Sequence, residues 1–580
     1  MAAIKFKHAL GVDRSCEEAF GGIDRTARGK SSNRCYLLEN LEPRADGSLK
    51  TRAGYKKVFD FSGEMRGSFN SAGKLYSVIG SSLVLTDTSI GTYQVLATLP
   101  TETGEADVFG FGGDIYVHDG ATLYRYNGTD LVEAEGYAPL YGYHWDPAVR
   151  GDIHEDINIL SDRIRISYLL TVSANSFDLG INVASVDRVE LNGKEYSLEE
   201  LEIAIDESDS SIIHSTNLPS SSLLELWLTL SPEASHKHRL QKETKSFVFG
   251  NNGGERLCLY NPGISGHLLC SMPIGKSAHA ASQKSASGAL PIYLPISSSV
   301  CIGSGASPIT GMAQHYGRAL LFTDRDTWCV DWEDDELDSS RTLPRVFLLN
   351  SAIGAEYVNG TAYFENDPIT YFCGGLWRWN SRSGERDECS ASLISDEVAS
   401  LLPRNSDTVS MLSLPQKQKI IIADAEDSEG KMLVYDTARK SWSLYTSVFA
   451  ERLLHFGDHP AFSRGGEIYV FSDDLAEDVE DDESFKVKSR LTSHFLDFGC
   501  PERMKKNLCL ILCCDLSGDK ATITFENELG EKREIILEGK RGGGEEQFTE
   551  RISLPRFKKL RYTVEADDPV ILYGAILSAK

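Results

Sequence analysis

The sequence predicts an all-β chain: a β-propeller of six to eight blades that carries a small inserted β domain and is followed by a C-terminal β-sandwich. Three observations predict it: a repeat at a spacing of forty residues, echoes of that repeat further along, and a composition suited to strands. The first copy reads Gly73-Lys-Leu-Tyr-Ser-Val-Ile-Gly80-Ser-Ser-Leu83 and the second Gly113-Asp-Ile-Tyr-Val-His-Asp-Gly120-Ala-Thr-Leu123. Each is a short strand, a glycine turn and a second strand, because aromatic and β-branched residues suit a pleated surface and glycine takes positive φ cheaply. That is half of a four-stranded blade, and a period near forty is the propeller signature. Fifty glycines, 23 tyrosines and 24 phenylalanines beside seven methionines favour strands and tight turns over helical bundles.

Echoes follow at Ser246–Tyr260, Gly317–Val330, Gly360–Phe372, Lys419–Tyr435 and Gly466–Phe471, so seven units are visible. Asp436 to Tyr445, with Lys440 and Trp442, resembles the aspartate-turn-tryptophan end of a kelch-type blade.

The pattern divides the chain. Residues 1–60 read as an extended basic arm and 61–149 as the first blades. Residues 150–245, with alternation in Arg163-Ile-Arg-Ile and Leu224-Glu-Leu-Trp-Leu and an Asn192-Gly193 hairpin, read as a β domain inserted into a surface loop. Residues 246–472 hold the remaining blades. The stretch 473–484 holds eight acids between Asp473 and Glu483 and reads as a solvated linker. From 485 to 580, alternating strands with regular turns predict the sandwich.

The net charge of −26, from 59 basic and 85 acidic side chains, argues against a protein that holds nucleic acid by its phosphates. The twelve cysteines form neither zinc spacing nor a regular disulfide frame. The opening Met1-Ala-Ala-Ile-Lys-Phe-Lys is too polar for a signal peptide, and no apolar run has the length of a membrane span.

Catalytic motifs are weak. Gly22 to Ser31 imitates a phosphate loop, but Asp24 stands where an amide-rich glycine is needed and its carboxylate repels phosphate. His236 and His238 lie in a polar loop without a clustered third ligand. Two groups of acids, Glu385, Asp387 and Glu388, and Asp324 and Asp326 near Trp328, are candidates for a glycosidase pair, although 85 acids make such proximity common by chance. No cofactor is expected. The basic residues Arg25, Arg28, Lys30, Arg34 and Arg52, standing out in an acidic chain, are predicted to contact the acidic face of a neighbouring copy or an adaptor.

Several patches carry a family resemblance. Asp46-Gly-Ser-Leu-Lys-Thr-Arg52-Ala-Gly-Tyr55, preceded by Gly21-Gly-Ile-Asp and Cys35-Tyr-Leu-Leu-Glu-Asn-Leu, resembles the start of bacteriophage tail and stabilisation proteins; Ala53 replaces a proline common there. Gly375-Leu-Trp-Arg-Trp379 and Phe495-Leu-Asp-Phe-Gly499-Cys-Pro501 are similar further patches. The resemblance implies a structural virion protein, most specifically the tail nozzle of short-tailed phages, a homo-oligomeric ring through which DNA is ejected without tight binding. It also implies tail adaptor or portal-side partners, tail fibres as further partners, synthesis in the host cytoplasm and residence in the virion tail. The family brings no catalytic residue. The alternatives are a receptor- or glycan-binding tail protein and a propeller glycosidase.

Overall fold

The computed structural model describes residues 22–579 except 27–33, 90, 146, 148–152, 238–239, 241–244, 252–253, 263–265, 274–290, 335–341, 382–388, 482, 499–500, 518 and 541–542. It is all-β, with no α-helix among the described residues, and no helix is long and apolar enough to cross a membrane.

Among the described residues, five four-stranded antiparallel sheets and four-stranded antiparallel portions of two larger sheets are numbered 1 to 7 here in the order of the chain. Sheet 1 (residues 65–98) contains the first repeat copy, whose strands Lys74–Ile79 and Ser82–Asp87 turn at Gly80, φ 54°. Sheet 2 (107–133) contains the second copy in Asp114–His118 and Leu123–Tyr126. Sheets 3 to 6 span 245–301, 309–350, 362–393 and 409–445. Sheet 7 takes three strands, Arg452–Phe456, His459–Arg464 and Glu467–Ser472, and its fourth is Gly54–Asp60 from the other end of the chain. The strands that open sheets 1, 2, 3 and 4 touch in turn. Asp367–Phe372 of sheet 5 touches sheet 4, and contacts then run through sheets 6 and 7 back to Met65–Ser71. Where sheets 1 and 2 meet, a Cβ on Gly67 would lie 1.8 Å from the Ala106 carbonyl oxygen, so only glycine admits that approach.

Between sheets 2 and 3, residues 140–230 form a five-stranded and a three-stranded sheet around their own core, including Ile164, Tyr168, Phe177 and Leu226. The strand Leu223–Leu230 alternates strictly, burying every second residue. After sheet 7, two further sheets face each other. One holds Ser489–Thr492, Leu560–Ala566, Lys520–Asn527 and Lys532–Glu538; the other holds Leu49–Thr51, Ile571–Ala579, Lys505–Asp515 and Glu546–Phe557. Their core runs without interruption into sheets 5 and 6.

Residues 34–60 depart from the extended arm expected for residues 1–60, of which 1–21 and 27–33 lie outside the described residues. Leu37–Glu39 lies between Ser441–Tyr445 of sheet 6 and Ser489–Thr492 of the sandwich and joins them into one nine-stranded sheet. Leu49–Thr51 pairs with the C-terminal strand, and Gly54–Asp60 completes sheet 7. The acidic run also departs from a linker. Its strands Glu477–Glu480 and Glu483–Lys486 form a hairpin that extends sheet 7 beyond Gly54–Asp60. Basic side chains pair with part of it: Arg52 with Asp478, Arg464 with Glu480, Lys57 with Asp481 and Lys417 with Asp473.

Candidate functional site

The segment 46–55 is the joint of these units. Asp46 accepts from the Ser48 amide at 3.0 Å and its hydroxyl at 2.6 Å, making the tight turn that Gly47 completes at φ 85°. Leu49 is fully buried in the sandwich core. Thr51 donates its amide to the Val570 carbonyl at 3.0 Å and its hydroxyl accepts from the Val570 amide at 2.9 Å, which fastens the C-terminal strand.

Arg52 then turns inward. Its Nη1 and Nη2 donate to the two oxygens of Asp478 at 2.8 and 2.7 Å, and its Nε donates to Asn40 Oδ1 at 2.9 Å. The guanidinium lies 5.5 Å from the Tyr445 ring centre and 5.9 Å from that of Phe471. Arginine suits the place because its planar fork matches a carboxylate in two parallel bonds and its faces accept aromatic rings. Gly54 follows where a Cβ would meet the Glu477 carbonyl at 2.0 Å, and the Tyr55 hydroxyl donates to Glu480 at 2.8 Å. Burial, with Asp478 and Glu480 beside it, holds the Tyr55 phenol above its ordinary value.

The other predicted contact residues divide. Arg34 pairs with Glu397 and donates to the Lys440 carbonyl at 3.1 Å. Arg25 donates its amide to the Glu397 carbonyl at 2.7 Å and places its guanidinium 4.6 Å from the Tyr36 ring centre. Arg28 and Lys30 lie outside the described residues. Arg52, its side chain 1% exposed, cannot reach a neighbouring copy, and Arg34 meets its carboxylate inside the chain. This corrects the sequence reading for Arg52: complementary charge is there, but the acidic partner is the same chain's run at 473–483. The signal that could have found it is the pairing of a basic early segment with the single dense acidic run.

A second candidate lies among the opening strands of the sheets. A cavity of about 370 Å³ is lined by Phe69, Phe109, Phe247, Met312, Tyr363 and Met411, from sheets 1 through 6. Beside it, Glu105 accepts from the Tyr357 hydroxyl at 2.6 Å, Lys245 Nζ at 3.0 Å and Arg452 at 3.4 Å. Burial pushes this carboxyl up, but Lys245, Tyr357 and Arg452 outweigh it and hold it below its ordinary value. The loop bearing Glu105 is pinned by Arg66, whose guanidinium donates to the carbonyls of Gly104, Gly80 and Thr101. Sequence patterns missed this cluster, since its members sit in four separate parts of the chain.

The other candidates are placed as follows. Asp326 accepts from Trp328 Nε1 at 2.7 Å and from the Thr323 hydroxyl at 2.7 Å, which makes it a turn residue. Glu385, Asp387, Glu388 and His238 lie outside the described residues. Among the described residues no three His, Cys, Asp or Glu side chains converge as metal ligands.

No protein-family model matches the chain. It is similar to a UDP-N-acetylmuramate--L-alanine ligase of Clavibacter sepedonicus, 30% identical over 99 residues, which are 16% of this chain and 19% of that protein. The same-named protein of Clavibacter michiganensis subsp. michiganensis is 32% identical over 95 residues, 15% of this chain and 18% of that one. The chain thus spans about a fifth of the length of these curated relatives. Among solved structures it is similar to the WD40 domain of SCAP from fission yeast, with a TM-score of 0.32, 10% identity, and coverage of 72% of this chain and 98% of that one. For the Dos1 propeller the TM-score is 0.33 and the identity 11%, covering 73% and 95%. With scores this low, the fold rests on the sheet order and contacts described above.

Proposed function

We propose that the chain is a structural subunit of a bacteriophage tail, a nozzle protein that assembles into a ring through which DNA is ejected, and that its seven sheets are the blades of a β-propeller. The observation that carries the reading is the place of residues 46–55. The segment with the clearest resemblance to phage tail proteins is the one that fastens the seventh sheet, the hairpin and the sandwich together through Arg52, Thr51 and Tyr55. Closing sheet 7 with a strand from the other end of the chain means that unravelling from either side must break buried hydrogen bonds, which suits a conduit wall under load. The test is to compare particles made with and without the chain. Tails lacking it should be shortened at the distal end and fail to eject DNA; complete, infective tails without it would overturn the proposal.

The receptor- or glycan-binding reading is favoured by one observation. Tyr143 and Trp145, at the start of the inserted domain, are 36% and 58% exposed with rings 5.3 Å apart, a surface on which a sugar ring could stack. Loss of adsorption, with assembly unchanged, in a Trp145→Ala variant would favour it.

A further inference from the structure

Two thiols face each other in the core between sheets 3 and 4. Cys258, in the strand Gly254–Tyr260, stands opposite Cys270, in the strand His267–Cys270, and their Sγ atoms are 3.6 Å apart. Both residues are fully buried, walled in by Phe249, Leu268, Val300, Ile309 and Leu321. A buried free cysteine commonly packs as a small hydrophobe, but the ladder geometry at this pair suits a covalent bond.

The register sets the spacing. The Ser271 amide donates to the Leu257 carbonyl at 2.8 Å, so the next step along the ladder is hydrogen-bonded across the strands. Hydrogen-bonded and non-hydrogen-bonded pairs alternate in an antiparallel ladder, which makes Cys258 and Cys270 a non-hydrogen-bonded pair. Such pairs bring their Cα atoms to about 4.5 Å, with the side chains closer than at the neighbouring steps. That spacing lies inside the range of roughly 4.4–6.8 Å that a disulfide bridges. The bond can therefore close by side-chain rotation, with both strands left in register.

The strand itself provides access. His267–Cys270 is held to Gly254–Tyr260 through two register pairs and to Val300–Cys301 through two more. With so few cross-strand pairs it can open locally while the rest of the sheet stays folded. Burial holds the Cys270 thiol well above its ordinary value, which keeps the attacking thiolate scarce and the reaction slow.

We propose that Cys258 and Cys270 form a modification site, at which an oxidant of the low-molecular-weight disulfide class joins them in a disulfide that staples the second and third strands of sheet 3. One protein thiolate attacks a sulfur of the reagent, breaks its S–S bond and releases one reagent thiol. The other protein thiolate then displaces the second half of the reagent as the Sγ–Sγ bond forms. Two electrons pass from the protein thiols to the reagent, and the two protons end on the two released thiols. The bond closes the loop from 258 to 270 and so removes freedom from the unfolded chain. On the tail reading the chain is made in a reducing cytoplasm and acts outside it, so the staple sets after release; that timing rests on the tail reading, and the bond does not.

The test incubates the full chain with oxidised glutathione in urea just below its unfolding transition, so that the strand opens transiently. Remaining thiols are then blocked with iodoacetamide in full denaturant, and tryptic peptides are mapped by mass spectrometry. Peptide 257–276 contains both cysteines and no other. The expected result is that this peptide carries no alkyl group, is lighter than its reduced form by two hydrogen atoms, and regains two reactive thiols with reductant. The treated chain should melt a few degrees higher than the untreated one. That rise should be lost in Cys270→Ala and kept in Cys301→Ser, whose thiol is exposed on the adjacent strand. None of these readouts depends on ring assembly. Full alkylation of both cysteines, glutathione left on either, either one bonded to a different cysteine, or an unchanged melting temperature with the bond formed would overturn the proposal.

Discussion

Asp478 accepts both terminal nitrogens of Arg52, 426 positions earlier in the chain, at 2.8 and 2.7 Å in a fully buried pair. One bidentate contact therefore ties the hairpin after the last sheet to the strand that completes it. Truncating either residue leaves the other charge buried and unmatched, so Arg52→Ala and Asp478→Ala are each expected to lose about 3–5 kcal/mol of stability. Arg52→Lys should recover little, because an ammonium cannot match both oxygens and Asn40 together. Chemical unfolding of the single and double variants checks this; a double variant that loses the sum of the two single losses would show that the pair is uncoupled.

Gly67→Ala is expected to force sheets 1 and 2 apart, since its Cβ would sit 1.8 Å from a backbone oxygen that has no freedom to move away. A loss of about 2–4 kcal/mol follows by analogy with other overpacked sites. Gly250→Ala is the control: in the opening strand of sheet 3, its nearest atom is Glu255 Cγ at 3.8 Å, and the change should be within about 1 kcal/mol of neutral. Equal melting temperatures for the two variants would contradict the close approach.

Stability should fall as pH drops below the ordinary histidine value of 6.5. Burial lowers the folded values of His118 and His455, and also that of His315 against the upward pull of Asp367. The unfolded chain then binds protons that the folded chain refuses, which favours unfolding below 6.5. Glu39 and Glu397, raised by burial, act in the opposite direction at lower pH. The comparison must therefore be between the native chain and a His118→Asn, His455→Asn variant, read as urea midpoints at about pH 7.5 and 5.5. The variant should show the smaller drop; an equal drop would remove the histidines from the account.

What was legible in the sequence was local. Gly73–Leu83 and Gly113–Leu123 fall on paired strands of sheets 1 and 2, because turn glycines and alternating residues act over a dozen positions. Asp436 and Trp442 likewise sit in one hairpin of sheet 6, with Asp436 accepting from the Arg439 amide at 2.8 Å. What was not legible was distant. Gly54–Asp60 pairs with Glu467–Ser472, and Leu37–Glu39 with residues near 444 and 491, and nothing near either strand announces its partner. The acidic run misled for a related reason. Charge density reads as solvated surface until Arg52, Lys57 and Arg464 are placed beside it. The Glu105 cluster shows the same limit, with partners at 245, 357 and 452.

If the chain lines a DNA conduit, its channel surface should be net acidic or neutral, because each Lys or Arg pairing with phosphate would add salt-dependent drag. With a net charge of −26 and many basic groups, such as Arg34, Arg52 and Lys57, already paired within the chain, duplex DNA should bind the purified assembly no more tightly than micromolar at low salt. Sub-micromolar binding in a titration would contradict this.

The most direct measurement is single-particle imaging of the purified chain and of particles that carry it. The account predicts a closed ring of copies around a common axis, each with a seven-bladed body completed by its own residues 54–60, and a channel aligned with the tail. A chain that stays monomeric at every concentration and is missing from tails would contradict it.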